Sequence, residues 1–197
     1  MSVVPNTPAI PPLLETIVDA ALQIVGARSA SLLLIDCETQ DLEFTVALGP
    51  AADHVRGLRL PIGHGIAGLV AHAGEPIIVA DAGADPRHAA EIARDAGYHP
   101  ETLLCVPLLA DDDVVGVLEL LDRQDGAPFD LRDMQLAIQF ARVAVSALEQ
   151  PSTPPADVIP ADLHALVDRI ATHGERESAA CKAILQSFLT ALDFDLS

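Results

Sequence analysis

The spacing of apolar residues predicts a helix followed by two strands near the start of the chain. Over 13–25 apolar residues recur at intervals of three and four, which predicts a helix that Gly26 ends. A continuous apolar run over 30–35 and strict alternation over 42–48 predict two strands of a hairpin. Because only a narrow stripe of the helix is polar, it needs packing partners on more than one side.

A second hairpin is predicted further along the chain. Its strands are apolar runs over 102–109 and 114–121, joined by three consecutive aspartates over 111–113. We interpret these acids as a solvent-exposed tip rather than a metal site, because a calcium loop needs alternating ligands, a glycine and a distal glutamate.

A last helix is predicted over 131–148. Asp130 is placed to cap it, and Asp133 occupies the third helical position, where a capping-box acid lies. Almost the whole circumference of this helix is apolar. We therefore expect it to pack on a sheet with one side and to meet the first helix or its own copy in a second subunit.

A glycine-rich turn lies between the two hairpins. Gly63, Gly65 and Gly68 separate a short strand from a short helix that Gly74 ends. Glycines there permit positive φ angles and close backbone approach, and the helix start presents free N–H groups to an anion or a carbonyl. A dinucleotide-binding fingerprint is not expected, because Pro61 interrupts the preceding strand and the helix is too short for a parallel crossover.

Three segments in a fixed order carry a family resemblance. They are GHGIAGLVAHAGEPIIVAD after Leu60, LLCVPLLADDDVVGVLELLDR, and FDLRD at the start of the last helix. Over 12–149 the chain resembles a GAF domain, the small-molecule-sensing module of signalling proteins. The resemblance implies an α+β fold with a central antiparallel sheet of about six strands, terminal helices on one face and a ligand pocket on the other. It also implies a homodimer through helices 13–25 and 131–148.

Candidate ligand-binding residues surround the glycine turn and the polar segment 83–101, which is predicted to cover the pocket with a loop and a short helix. These candidates are His64, Gly65, Ile66, Asp81, Arg87, His88, Tyr98 and His99. Glu119 is a carboxylate inside an apolar strand. It is expected either to pair with an arginine such as Arg28 or Arg142 or to point into the pocket, and the sequence leaves both open.

The resemblance implies a non-catalytic regulatory protein that binds a small molecule and relays its presence through dimeric helices to a partner protein. One alternative is free methionine-R-sulfoxide reductase, a GAF-fold enzyme family that uses cysteine thiolates. Its pattern places a cysteine in the loop where this chain has Ala67, while Cys105 lies in a predicted buried strand and Cys37 in a distant loop. The other alternative is a ligand-free dimerisation scaffold.

The ligand itself is left open by the sequence. Cyclic-nucleotide-binding GAF domains share an Asn-Lys, Phe and Asp-Glu pattern, and this chain has Asp122-Arg123, Phe129 and Asp133-Met134 instead. Arg123 is still expected to pair with Asp133. Bilin attachment is not expected, since no cysteine precedes a histidine, whereas haem on a single histidine stays open because one axial ligand leaves no spacing motif.

The composition limits which partners and which cellular location we expect for this protein. Among 197 residues, 29 acidic side chains outnumber 11 basic ones, for a net charge of −18, so we expect neither nucleic acid nor anionic membrane as a partner. Three widely spaced cysteines indicate a reducing compartment. With no long apolar run and no signal-like N-terminus, the expected location is cytoplasmic.

The remaining segments have a different composition. Residues 1–11 are rich in proline and predicted to be a disordered leader, and 150–160 form a proline-rich linker. Two helices broken at Gly174 are predicted over 161–195. Their apolar stripes either fold back onto the domain or its dimer, or dock a partner protein.

Overall fold

The computed structural model describes residues 12–87 and 97–149, with the side chain of Pro12 excepted. The predicted leader 1–11, the linker 150–160, the helices within 161–195 and His88 lie outside the described residues. The helices are α1 (Pro12–Val25), α2 (Ala52–Val55), α3 (Gly65–Ala73) and α4 (Leu131–Glu149), and the strands are β1 (Ala27–Ile35), β2 (Asp41–Leu48), β3 (Arg59–Pro61), β4 (Ile77–Val79), β5 (Leu103–Ala110) and β6 (Asp113–Arg123).

The strands form one six-stranded sheet in the order β3-β2-β1-β6-β5-β4, and every neighbouring pair is antiparallel. The two longest strands, β1 and β6, lie at its centre. The predicted α+β fold with an antiparallel sheet of this size is therefore confirmed.

The two faces of the sheet carry different elements. Because side chains alternate along a strand, Ala30 and Leu32 of β1 join Leu118 and Leu120 of β6 in a core beneath α1 and α4. The next residues along these strands, such as Leu33 and Val117, point to the opposite face of the sheet. There they join a second, smaller apolar cluster that includes Ile66 and other residues of α3. Within the described residues, no helix is long and apolar enough to span a membrane.

Strand β1 begins three residues earlier than its apolar pattern predicts. Ala27 pairs with Arg123 and Ser29 with Leu121, so hydrogen bonding to β6 extends the strand through polar positions. This extension brings Ser29 into the sheet, which matters for the site described below.

Helix α4 starts as its sequence predicts. Asp130 Oδ1 accepts the Asp133 N–H at 3.0 Å, and Asp133 Oδ2 accepts the Asp130 N–H at 2.9 Å, which forms the capping box. Asp133 Oδ2 also accepts a hydrogen bond from Arg123 at 2.7 Å. The predicted pairing of Arg123 with Asp133 is confirmed, and it joins the end of β6 to the start of α4.

Candidate functional site

The glycine turn places the start of α3 against the sheet. The Gly63 N–H donates to the Gly68 carbonyl at 2.8 Å, and the His64 N–H donates to the Pro61 carbonyl at 3.0 Å. Gly65 has a φ of +66°, and a Cβ atom on Gly68 would lie 2.7 Å from the Pro61 oxygen. Glycine is therefore required at both positions, by backbone conformation at one and by space at the other.

A cavity lies between α3, α2 and the sheet. Its volume is about 80 Å³, which is enough for several water molecules. Most of its walls are apolar. It is lined by Ser29, Ser31, Phe44, Ala47, Leu48, Ala51, Ala52, Val55, Leu60, Gly65, Ile66, Ala67, Tyr98, Pro100, Leu103, Glu119 and Leu121.

Glu119 lies on the sheet floor of this cavity. Ser31 of β1 and Cys105 of β5 are its cross-strand partners in the sheet. Its residue surface is 8% exposed, and within the described residues its carboxylate has neither a hydrogen bond nor an ion pair. Burial raises the pKa of this carboxyl to about 7. Of the two interpretations that the sequence leaves open, the structure supports the one in which Glu119 points into the pocket.

Two hydroxyl groups lie on the same floor. Ser29 and Ser31 are both 5% exposed, and both face the cavity because they are two residues apart on β1. Ser29 Oγ is buried and forms no hydrogen bond within the described residues, although the Tyr98 phenol lies close to it. A buried hydroxyl without a partner is uncommon in folded proteins, so Ser29 Oγ is an unsatisfied polar atom beside the cavity.

Tyr98 is held beside the cavity by Asp122. The Tyr98 hydroxyl donates to Asp122 Oδ2 at 2.5 Å, and Asp122 Oδ1 accepts the N–H groups of Glu101 and Thr102 at 2.7 and 3.0 Å. Burial, followed by the hydrogen bond to Asp122, raises the pKa of Tyr98 to about 12. The phenol therefore stays protonated at neutral pH, and one carboxylate anchors the whole segment from Tyr98 to Thr102.

The structure places only some of the predicted ligand-binding residues at the cavity. Gly65, Ile66 and Tyr98 line the cavity. The other described candidates are exposed and do not line it: His64 precedes α3, Asp81 accepts the Ala84 N–H, Arg87 pairs with Asp85 at 2.7 Å, and His99 follows Tyr98. His88 lies outside the described residues. A ligand-binding role for any of these residues stays a prediction.

Sequence reasoning missed the contribution of the first hairpin to the site. Ser29, Ser31, Phe44 and Ala47 line the cavity from β1 and β2. The available signal was two serines spaced by two within an otherwise apolar strand, which places both hydroxyls on one face of the sheet. Ala47, a small residue opposite Ser31, then leaves space above the sheet.

The described side chains offer few groups that bind a metal ion or haem iron at the cavity. Within 12–87 and 97–149, no group of three or more His, Cys, Asp or Glu residues is placed to hold a metal ion. The described cavity lining contains no histidine, cysteine or methionine, and the Tyr98 hydroxyl is bound to Asp122. The described lining therefore offers no axial ligand for haem iron, and haem stays a prediction.

The two described cysteines, Cys37 and Cys105, are not arranged for thiolate chemistry at the cavity. Cys105 is fully buried, and burial together with the neighbouring Glu119 raises the pKa of its thiol well above the ordinary value. Cys37 is exposed in the turn between β1 and β2, at the opposite end of that hairpin from Ser29. Ala67 lines the cavity where the reductase pattern would have its cysteine.

The chain thus combines an antiparallel sheet, terminal helices on one face and a partly polar cavity beneath a glycine-started helix on the other. The chain belongs to the GAF domain family, whose model matches residues 10–148. GAF domains are small-molecule-sensing regulatory modules, and this family has members in cyclic-nucleotide phosphodiesterases.

Two curated relatives are phosphodiesterases. The probable 3',5'-cyclic phosphodiesterase pde-5 of Caenorhabditis elegans is 32% identical over 120 residues, which cover 56% of this chain and 16% of that protein. The dual 3',5'-cyclic-AMP and -GMP phosphodiesterase 11A of Takifugu rubripes is 41% identical over 80 residues, or 40% of this chain and 9% of that protein. The matched segment is thus less than a fifth of each relative.

Solved structures share the fold. The GAF domain of a phosphoenolpyruvate-protein phosphotransferase from Coxiella burnetii superposes with a TM-score of 0.61 at 23% identity, covering 71% of this chain and 84% of that one. A free methionine-R-sulfoxide reductase from Neisseria meningitidis, solved with its substrate, gives 0.58 at 24% identity, covering 69% and 75%. At these identities the likeness establishes architecture alone.

Proposed function

We propose that this chain is a non-catalytic regulatory GAF protein that binds a small molecule in the cavity between α3 and the sheet. The main support is Glu119, a buried carboxylate without a hydrogen-bond or ion-pair partner among the described residues, on the floor of a largely apolar cavity. An unpaired buried carboxyl costs free energy that a bound molecule would recover. Buried polar groups converging on an apolar cavity are typical of ligand sites.

The relay is proposed to pass through the two central strands. Ser31 and Glu119 face the cavity, while their chain neighbours Leu32 and Leu118 lie in the core beneath α1 and α4. A ligand that moves the floor of the cavity therefore moves the surface on which both terminal helices pack. The partner protein, proposed to bind through 161–195, would read that movement.

The assembly and location belong to the same proposal. We propose a homodimer through α1 and α4, supported by the 68% exposure of Leu131 and by partly buried apolar residues along both helices. The net charge of −18 supports a protein that binds neither nucleic acid nor membranes. A cytoplasmic location is supported by Cys37 and Cys105, which form no disulfide within the described residues.

The binding proposal is tested with the full chain and a variant that fills the cavity. Native mass spectrometry of the purified protein, followed by a small-fragment screen with ligand-observed NMR, measures whether molecules bind. Ala67 lines the cavity and Ala73, on the same helix, is exposed, so Ala67→Leu is expected to abolish binding and Ala73→Leu to retain it. Absence of any retained or fragment ligand from the wild-type protein would overturn sensing in favour of the dimerisation scaffold.

The absence of catalysis is tested separately. With alanine at position 67 and the Cys105 thiol held protonated by burial, we expect no thiol-dependent reduction of free methionine-R-sulfoxide. The assay uses the full chain with dithiothreitol as the reductant. Turnover that disappears in the Cys105→Ser variant would contradict the proposal and support the reductase alternative.

A further inference from the structure

Every polar side chain of the described lining can accept a hydrogen bond, and the two serine hydroxyls can also donate one. Glu119 contributes carboxylate oxygens and Ser29 an unpartnered hydroxyl oxygen, with the Ser31 hydroxyl beside them. The Tyr98 hydroxyl donates a hydrogen bond to Asp122, so its oxygen can only accept a hydrogen bond from a ligand. No lysine, arginine or histidine belongs to the lining in the part of the chain that the structure describes. A molecule bound there meets acceptor oxygens and, when Glu119 is ionised, one negative charge.

The net negative charge of the protein also favours a positively charged ligand. Acidic residues exceed basic ones by 18, so the surrounding potential concentrates cations and repels anions. Asp122 adds a further carboxylate behind Tyr98. The first-turn amides of α3 attract negative groups, but they face the same cavity as Glu119, whose charge opposes an anion there.

We infer that the cavity selects a small organic cation with an N–H donor, an alkylammonium or amidinium group, which pairs with Glu119 while its apolar body contacts Phe44, Leu60 and Ile66. This inference rests on the proposed function and specifies its ligand class. Pairing supplies the countercharge that the buried carboxylate lacks. The cavity of about 80 Å³ suits a small ligand whose charged group reaches Glu119.

Glu119 is the one charged side chain in the described lining, and Asp122 and Arg28 lie near the neighbouring Tyr98. On β5 the neighbour is the Cys105 thiol, and above the floor lies the Tyr98 phenol, both protonated at neutral pH. Along the cavity walls, the described residues of α2, α3, β2 and β3 are all apolar or glycine. The ionisation of Glu119 therefore controls the charge that a ligand meets, and a cation competes with a proton for this carboxylate.

Three probes of matched length test the inference on the full chain: n-butylammonium, butan-1-ol and butyrate. Their dissociation constants are measured by ligand-observed NMR at about pH 8 for the wild type, Glu119→Gln and a control variant, Glu75→Gln, which changes an exposed carboxylate. We expect the wild type and the control to bind the cation about tenfold more tightly than the alcohol, with butyrate weakest. Glu119→Gln is expected to lose this preference and keep its affinity for the alcohol.

The pH dependence gives a second readout. Between about pH 8 and pH 5.5 the affinity of the wild type for butylammonium should fall about tenfold, because protonation of Glu119 removes the negative charge. The alcohol should show no such change, nor should the Glu119→Gln variant with either probe. Butylammonium, like a lysine side chain, stays protonated throughout this range.

Several results would overturn the inference. Equal affinities for the cation and the alcohol, tighter binding of butyrate, or a preference for the cation that survives in Glu119→Gln would each exclude recognition through this carboxylate. Failure of all three probes to bind would also overturn it. The proposed function stands or falls separately, on whether the Ala67→Leu variant loses the ligand found by the fragment screen.

Discussion

Glu119 and Asp122 lie three residues apart on β6 in opposite environments. Asp122 accepts hydrogen bonds from the Tyr98 hydroxyl and from two backbone N–H groups, with its own backbone at a φ of +52°. Glu119 accepts none from the described residues. A carboxylate with three donors orders the chain around it, whereas one without donors is costly to bury and available to a ligand.

The state of Tyr98 can be measured directly, because it is the single tyrosine of a chain without tryptophan. Near-ultraviolet absorbance should give a tyrosinate midpoint near the pKa of about 12 in the folded protein, against an ordinary value of 10.0. Asp122→Asn should lower the midpoint, since it removes the negative charge that opposes ionisation. The same titration in denaturant is the control. A midpoint near the ordinary value, with unchanged circular dichroism, would contradict the Tyr98–Asp122 contact.

Glu119 should make the free energy of unfolding depend on pH. Because folding raises its pKa from 4.5 to about 7, the folded state binds the proton more tightly, so stability is greatest below 4.5 and is lost as pH rises through 7. The free energy of unfolding is measured with urea at about pH 5 and about pH 8. Between these two pH values the wild type should lose about 2 kcal/mol more stability than Glu119→Gln.

The exposed Glu75→Gln variant serves as the control for that measurement and should follow the wild type at both pH values. A constant difference between Glu119→Gln and the wild type would show that Glu119 titrates as it does in the unfolded chain. The interpretation of the carboxyl as buried and unpaired would then be wrong.

At the scale of elements, the site depends on how closely α3 approaches β3. The backbone of Gly68 lies against the carbonyl of Pro61, and the N–H of Gly63 donates to the Gly68 carbonyl. This contact presents the first turn of α3 to the cavity. A short helix with few exposed apolar residues gains most of its stability from such packing.

Gly68→Ala should disturb this element. Its Cβ would lie 2.7 Å from the Pro61 oxygen, a backbone atom that cannot rotate away, so α3 must shift. We expect a loss of about 2 kcal/mol in the free energy of unfolding, measured with urea. Gly83→Ala is the control, because its Cβ would make only an ordinary contact at 3.6 Å with Asp81 Oδ1. Equal stability of the two variants would refute the close approach.

The link between β6 and α4 is a second feature at this scale. Asp133 is 7% exposed and accepts hydrogen bonds from Arg123 and from the start of its own helix. Neither residue lines the cavity. At the positions that stand in place of the cyclic-nucleotide pattern, Arg123 and Asp133 therefore hold α4 in place, while Asp122 binds the cavity residue Tyr98.

At the scale of the whole molecule, the sheet separates two tasks. Its α3 face holds the cavity, and its other face packs on α1 and α4, which are the proposed dimer surface. Strands β1 and β6 contribute to both faces, so the proposed signal has only the thickness of the sheet to cross.

The dimer is tested with Leu131→Asp, which places a charge on an exposed apolar residue in the first turn of α4. An acidic residue there favours the helix dipole, so the fold should be retained while the dimer dissociates. Sedimentation equilibrium should give half the wild-type mass. Leu109→Asp is the control, because Leu109 is 45% exposed at the tip of the β5–β6 hairpin and should leave the mass unchanged. A monomeric wild type would refute the proposed dimer.

The pattern of the sequence predicted most of the fold and part of the cavity. Local periodicity was sufficient for α1, α4 and both hairpins, and the glycines marked the start and end of α3. Among the candidate ligand residues, those in the turn, Gly65 and Ile66, line the cavity, as does Tyr98. Exposed polar residues such as Asp81 and Arg87 were chosen for their chemistry alone, which says nothing about the direction of a side chain.

Element types, their order and the capping of α4 were determined by the sequence itself, because helix and strand periodicity, glycine conformations and capping hydrogen bonds act between residues close along the chain. The surroundings of Glu119 and the gathering of Ser29, Ser31 and Tyr98 around one cavity were decided only by the tertiary structure. These contacts join β1, β6 and the 98–102 segment across long separations in sequence. Strand register and the packing of α3 determine them, and neither is visible in a local pattern.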